Sequence, residues 1–143
     1  MKIQILLLSL VAFAQSLTAQ SVVGRWKTID DETGKARSIV EISVKNGVLT
    51  GKIVQLFREP NEEQDPYCKL CPDDRKDKRV VGMEIIRGMK QDDNEWTDGT
   101  ILDPKKGSIY DCTLWVDESD SNKLQVRGYW GFFFRTQTWV RVK

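Results

Sequence analysis

Between Val22 and Val142, apolar and polar residues alternate in runs of about six to ten, and short turn signals break the runs. A period of two belongs to a strand with one face in a core and the other in water, and no stretch keeps the helical period. The first run, VVGRWKTI over residues 22–29, sets Val22, Gly24, Trp26 and Thr28 on one face, and the second, SIVEISV over 38–44, does the same with Val40, Ile42 and Val44. Asn46 and Gly47 accept the positive φ of a type I′ turn, so a tight hairpin is predicted there. A third run, VLTGKIVQLF over 48–57, gives way to a long polar connection over 58–78. A fourth strand is predicted over 80–89 (VVGMEIIRGM) and a fifth over 95–102 (EWTDGTIL). Pro104 and Gly107 in DPKKG suit a short hairpin loop ahead of SIYDCTLWV, whose Tyr110, Cys112, Leu114 and Val116 share a face. KLQVRGYW over 123–130, a turn at Gly131 and RTQTWVRV over 135–142 complete a set of eight.

Eight sequential strands joined mostly by short turns predict an all-β fold, a small up-and-down antiparallel barrel that leaves no sheet edge open. A barrel of this size holds one small ligand or fills itself with side chains. A two-sheet sandwich is the competing architecture. Residues 20–143 are expected to form one domain, large enough to bury a core without several disulfides. Ahead of it, residues 1–19 place Lys2 before an apolar run that ends in small residues, the layout of a cleavable signal peptide with cutting after Ala14 or Ala19. The run is too short to span a bilayer and no cysteine stands near it to take a lipid, so a secreted or periplasmic product is expected.

The chain has 22 basic and 21 acidic residues, and loss of Lys2 with the signal leaves 21 of each. Without a basic excess, Coulombic attachment to nucleic acid or to an anionic membrane has no basis. There is no histidine, which removes Ser-His-Asp and Cys-His catalysis and the imidazole ligands of catalytic zinc. No catalytic residue, metal or cofactor is assigned.

The stretch DPYCKLCPDDRKDK holds a Cys68-x-x-Cys71 pair open to three readings: redox site, half a metal site, or structural disulfide. No helix is predicted after it to activate a thiolate, and the remaining Cys112 does not complete a four-ligand zinc set, so the disulfide reading is favoured. Cys112 falls on a core-facing position. Glu62, Glu63, Asp65, Asp73, Asp74 and Asp77 match no EF-hand spacing and are offset by Arg75, Lys76, Lys78 and Arg79, which reads as a solvated loop. Glu41, Glu84 and Glu95 lie on strands with nothing to pair them for glycosidic chemistry. In GYWGFFFR, Trp130, Phe132, Phe133 and Phe134 surround one glycine turn, and alternation forbids all of them from pointing inward. An exposed apolar rim is expected there, available to a protein partner, a second copy, a membrane surface or a ligand portal.

Gly24-x-Trp26 in the first strand and Trp139-x-Arg141 in the last resemble the lipocalin and calycin barrels. The resemblance implies that Trp26 closes one end of the barrel with an Arg of the last strand across it, and Arg141, or failing that Arg127, is expected over its ring. Trp26, Tyr110, Arg127, Trp139 and Arg141 are accordingly the candidate barrel-closing or ligand-binding residues. The ordered motifs GRWKT, CKLC, DGTILDPKKGSIY, LQVRGY and RTQTWVR resemble a family of small secreted bacterial proteins, domain of unknown function 2147, over residues 24–141. That likeness implies an exported barrel with the CxxC in the loop after the third strand, and it carries no assigned activity. Phe132-Phe133-Phe134 is more aromatic than the turn usual in that family. The expected role is a non-catalytic binding module for a small apolar or amphipathic ligand or an envelope partner. The alternative is a thiol-exchange protein or enzyme centred on Cys68 and Cys71.

Overall fold

Eight strands follow one another in the computed structural model, which describes residues 21–143. They are β1 (Gly24–Ile29), β2 (Ala36–Lys45), β3 (Val48–Leu56), β4 (Glu84–Asp92), β5 (Glu95–Asp103), β6 (Ser108–Val116), β7 (Lys123–Trp130) and β8 (Phe133–Arg141). Each pairs antiparallel with the next, and β8 returns to β1, so the sheet is a closed barrel and not a sandwich. The signal peptide expected over residues 1–19 lies outside the described residues. Among those described, no helix is long and apolar enough to cross a membrane.

Four strand starts differ from the alternation in the sequence: β1 begins two residues late at Gly24, β2 two residues early at Ala36, and β4 and β8 also shift. β4 begins at Glu84, four residues beyond the expected start, because residues 80–83 form a turn in which the Met83 amide donates to the Val80 carbonyl at 3.1 Å. Val80 and Met83 are buried all the same, so their apolar character reports a loop core and not a strand. β8 begins at Phe133, two residues early: Trp130 pairs with Phe133 and Tyr129 with Phe134, which leaves Gly131 and Phe132 as the turn.

Alternate residues of the strands point into the barrel and fill its middle. Trp26, Val40, Ile42, Leu49, Ile53, Ile86, Met89, Cys112, Leu114, Leu124, Val126 and Trp139 are all buried. The fit is tight enough that a Cβ added at Gly99 would run into the Arg87 carbonyl and the Met89 sulfur. Ile85 and Leu102 have the opposite parity and should face water, yet they are buried too. They share a cluster with Cys68, Cys71, Val80 and Met83, because the connection from β3 to β4 folds back over the outside of the wall.

Trp26 is the largest side chain with no exposed surface, and its indole nitrogen donates to the Val22 carbonyl at 2.9 Å. Replacing it by Ala leaves a ring-sized void and an unpaired carbonyl. Urea denaturation should show a loss of about 3–5 kcal/mol, the usual cost of deleting a buried aromatic.

Candidate functional site

One end of the barrel carries the start of β1, the finish of β8 and the β2–β3, β4–β5 and β6–β7 connections. Here the Arg141 guanidinium lies 4.2 Å from the centre of the Trp26 ring, a cation–π contact. Its Nη2 donates to the carbonyls of Ser21 at 2.9 Å and Ser121 at 3.1 Å, so one side chain ties the chain entering β1 to the β6–β7 connection. Gly24 makes room for it: a Cβ there would stand 3.3 Å from Arg141 Nη1, and its φ of 140° is one that residues with side chains rarely adopt. The Gly-x-Trp spacing thus has a geometric cause.

Beside this seal opens a cup of about 670 Å³. Val22, Val44, Trp96 and Val116 form its apolar wall, and the rim carries Gln91, Asp93, Asn94, Asp117, Glu118 and Ser119. Asp117 is held down to about 2 by hydrogen bonds from the Ser119 hydroxyl at 2.6 Å, the Ser119 amide at 2.9 Å and the Gln125 side chain at 3.0 Å. Its carboxylate is therefore charged and fixed at neutral pH. Leu49, Met89, Leu114 and Leu124, all fully buried, fill the barrel beneath. The opening is a cup at one end and not a hollow lumen.

The β3–β4 connection contains the CxxC. Cys68 and Cys71 are joined in a disulfide, both are buried, and the Cys68 sulfur sits 3.3 Å from the Pro104 carbonyl oxygen of the β5–β6 turn. Burial keeps an attacking thiolate away from either sulfur. Several acidic residues of this loop, and Glu84 at the start of β4, are held by arginines. Arg75, only 4% exposed, donates to Asp73 Oδ2 at 2.7 Å and to the Glu84 carbonyl at 2.9 Å. Arg87 grips Asp74 at 2.8 Å and Glu84 at 2.9 Å, and Arg79 holds Asp65 at 2.7 Å. Asp73 is accordingly lowered to about 2, first by the Arg75 side-chain hydrogen bond. Cys112 remains a single thiol inside the barrel, pushed up to about 12 by burial, so it supplies no thiolate at neutral pH.

Residues 24–141 match the model of a family described as an uncharacterized protein conserved in bacteria, DUF2147. The chain belongs to this family. A comparison with curated proteins finds no match. Among solved structures, protein HP1028 from Helicobacter pylori, described as belonging to the lipocalin family, is similar at a TM-score of 0.71 and 17% identity, over 87% of this chain and 85% of that one. At that identity the likeness establishes a lipocalin-like fold and nothing finer.

Within this DUF2147 barrel the residues singled out from sequence do not form one site. Trp26 and Arg141 meet at the sealed end, and Trp139 is buried in the interior beside them in the ladder order. Tyr110 belongs to the opposite end, edge-on to Trp130 at 6.0 Å between ring centres. Arg127 requires a correction: it closes no end. Val126 points inward, so Arg127 must point out, and its guanidinium lies between Trp115 at 4.9 Å and Phe134 at 4.6 Å on the outer wall. Trp130, Phe132, Phe133 and Phe134 are exposed at that far end. The cup residues Trp96 and Asp117 were not singled out. Trp96 reads as core in a strand pattern, and only the barrel's closure brings it beside Val116 and Val22.

Two outcomes follow for the loop. A ring closed across so few residues gains about 2 kcal/mol on the chain-entropy relation, so Cys68→Ala/Cys71→Ala should lower stability by no more than about that amount. Limited proteolysis should nonetheless cut within residues 58–83 much faster in that variant than in the parent. Acid acts on the same loop. Asp73 has an ordinary value of 3.8 and about 2 in the folded chain, so its contribution to stability is complete above pH 3.8 and is lost as pH falls toward 2. Amide hydrogen exchange in residues 73–84 should accelerate across that window, and in Asp73→Asn it should already be fast at pH 6.

Proposed function

We propose that this protein is an exported, non-catalytic binding module that takes one small amphipathic molecule in the cup beside Arg141. The observation that carries the reading is the cup itself: its volume lies in the range of small-molecule sites, and its lining combines the apolar Val22, Val44, Trp96 and Val116 with polar Asn94, Asp117 and Ser119. An apolar portion would rest on Val44, Trp96 and Val116, and a polar end would meet the ring of Asn94, Asp117 and Ser119. The lipocalin-like fold supports the reading, since the solved structure it resembles is described as a lipocalin. A packed mid-section limits the ligand to one short enough to sit at the end of the barrel.

The thiol-exchange reading finds less support. Cys68 is 0% and Cys71 2% exposed, and no helix start lies beside them to stabilise a thiolate. A structural disulfide agrees with secretion or a periplasmic location, where such bonds persist.

The test is titration of the purified protein with a neutral apolar fluorophore such as N-phenyl-1-naphthylamine. We expect saturable binding at one site with quenching of tryptophan emission. Val44 is partly exposed at the cup, so Val44→Arg should keep the melting temperature while weakening binding by about tenfold or more, because a charge is costly on an apolar wall. Absence of saturable binding, or equal affinity in the variant, would rule the cup out as the ligand site.

A further inference from the structure

The connection between β7 and β8 is unlike the other turns of the barrel. Residues 30–35 (DDETGK), 46–47 (NG), 93–94 (DN), 104–107 (PKKG) and 117–122 (DESDSN) are polar, as solvated turns should be. The β7–β8 turn is Gly131-Phe132, flanked by Trp130 on one side and Phe133-Phe134 on the other. Phe132 is 103% exposed, Phe133 67%, Phe134 58% and Trp130 47%. A soluble domain has no reason of folding to put its most apolar rings at a hairpin tip in water.

The placement of the rings narrows what covers them. Trp130 and Phe133 are opposite partners in the ladder and share the barrel-facing side, whereas Tyr129 and Phe134 are the next pair and share the outer side. Both faces of the tip are therefore aromatic, and Phe132 extends beyond them. A rigid protein surface engages one face of such a hairpin, while a fluid apolar medium surrounds both. The exposed area of the four rings is roughly 550 Å², taking an aromatic side chain as about 200 Å². That is short of the ~800 Å² per partner that holds a stable dimer.

We propose that this tip inserts into the boundary between headgroups and acyl chains of a lipid bilayer, holding the barrel on the membrane by its far end and leaving the cup at the opposite end facing away. With a rise of about 3.3 Å per residue, the stretch from Trp130 to Phe132 spans the 5–10 Å depth of that boundary layer. Tryptophan is the side chain that favours this depth, because an apolar ring system and one N–H donor suit a zone that is apolar on one side and wet on the other. The attachment is apolar and not Coulombic. Of the cations nearest the tip, Arg127 is stacked between Trp115 and Phe134 and donates to the Thr136 hydroxyl, Arg135 is paired with Asp31 across the far end, and the chain carries no basic excess. Anionic lipid is thus not required and salt does not release the protein, which distinguishes this mode from the electrostatic attachment that the composition excludes.

The experiment is co-sedimentation of the protein with vesicles of pure phosphatidylcholine at about 0.05 M and about 0.5 M sodium chloride, a range over which screening removes surface charge attraction. We expect partitioning that is equal at both salt concentrations, with a blue shift of tryptophan emission that Trp130→Ser diminishes. Phe132 touches nothing that folding needs, so Phe132→Asp should leave the melting temperature unchanged and reduce partitioning by about tenfold or more. Phe132→Leu should retain most of it. The proposal is overturned if Phe132→Asp partitions like the parent, if binding requires phosphatidylglycerol and disappears in salt, or if the parent ignores vesicles and instead self-associates through Phe132 in analytical ultracentrifugation. Fluorophore binding in the cup is independent of all three results, so failure here leaves the binding reading standing.

Discussion

The barrel depends on closing its weakest seam. β1 meets β8 through only two opposed pairs, Trp26 with Arg141 and Lys27 with Val140, whereas β2 and β3 are matched through eight and β7 and β8 through eight. An unclosed seam would expose two strand edges and the interior behind them. Arg141 compensates for the short ladder. Its guanidinium donates to the Ser21 carbonyl ahead of β1 and to the Ser121 carbonyl, and its charge lies over the Trp26 ring. Val142 extends the seam by donating to the Arg25 carbonyl at 2.9 Å. Polar ties and one buried aromatic replace the missing ladder.

Closure at that point divides the molecule into regions with different uses. The middle is a packed core with nothing left over for a ligand. The outer wall near β4 and β5 is covered by the clasped loop, where buried Arg75 is satisfied by Asp73 and by a backbone carbonyl. Two surfaces that folding leaves unsatisfied lie at the ends: the cup beside Arg141 and the aromatic tip opposite. In the proposed function one end takes a small molecule, and in the proposed attachment the other touches an apolar phase.

Strand order, barrel class and the tip were legible because each rests on local chemistry. Alternation over Ser38 to Val44 has one physical meaning, Asn46-Gly47 has one favoured turn, and four aromatics around a glycine cannot all be buried. The Gly24-x-Trp26 spacing with Arg141 was legible only through resemblance, since nothing local says that residues at opposite ends of the chain meet. What stayed hidden depends on long-range placement. Residues 80–83 are apolar enough for a strand, but they cap the loop core instead. Ile85 and Leu102 alternate as water-facing positions and are buried because a distant loop covers them. Arg127 was open to correction from the sequence itself, because its neighbour Val126 belongs to the inward set and adjacent strand residues cannot share a face. The cup has no sequence signature: Val22, Val44, Trp96 and Val116 lie on four separate segments.

Amide hydrogen exchange measured residue by residue in the parent protein and in Arg141→Met tests the seam directly, because Met keeps much of the side-chain bulk and removes the charge and its donors. If Arg141 holds the barrel closed, the amides of Lys27, Val140 and Val142 will exchange about tenfold or more faster in the variant, while those of the β2–β3 hairpin keep their protection. Unchanged exchange at Lys27 and Val140 would contradict the account, since the two-pair ladder would then be sufficient to close the barrel without the arginine.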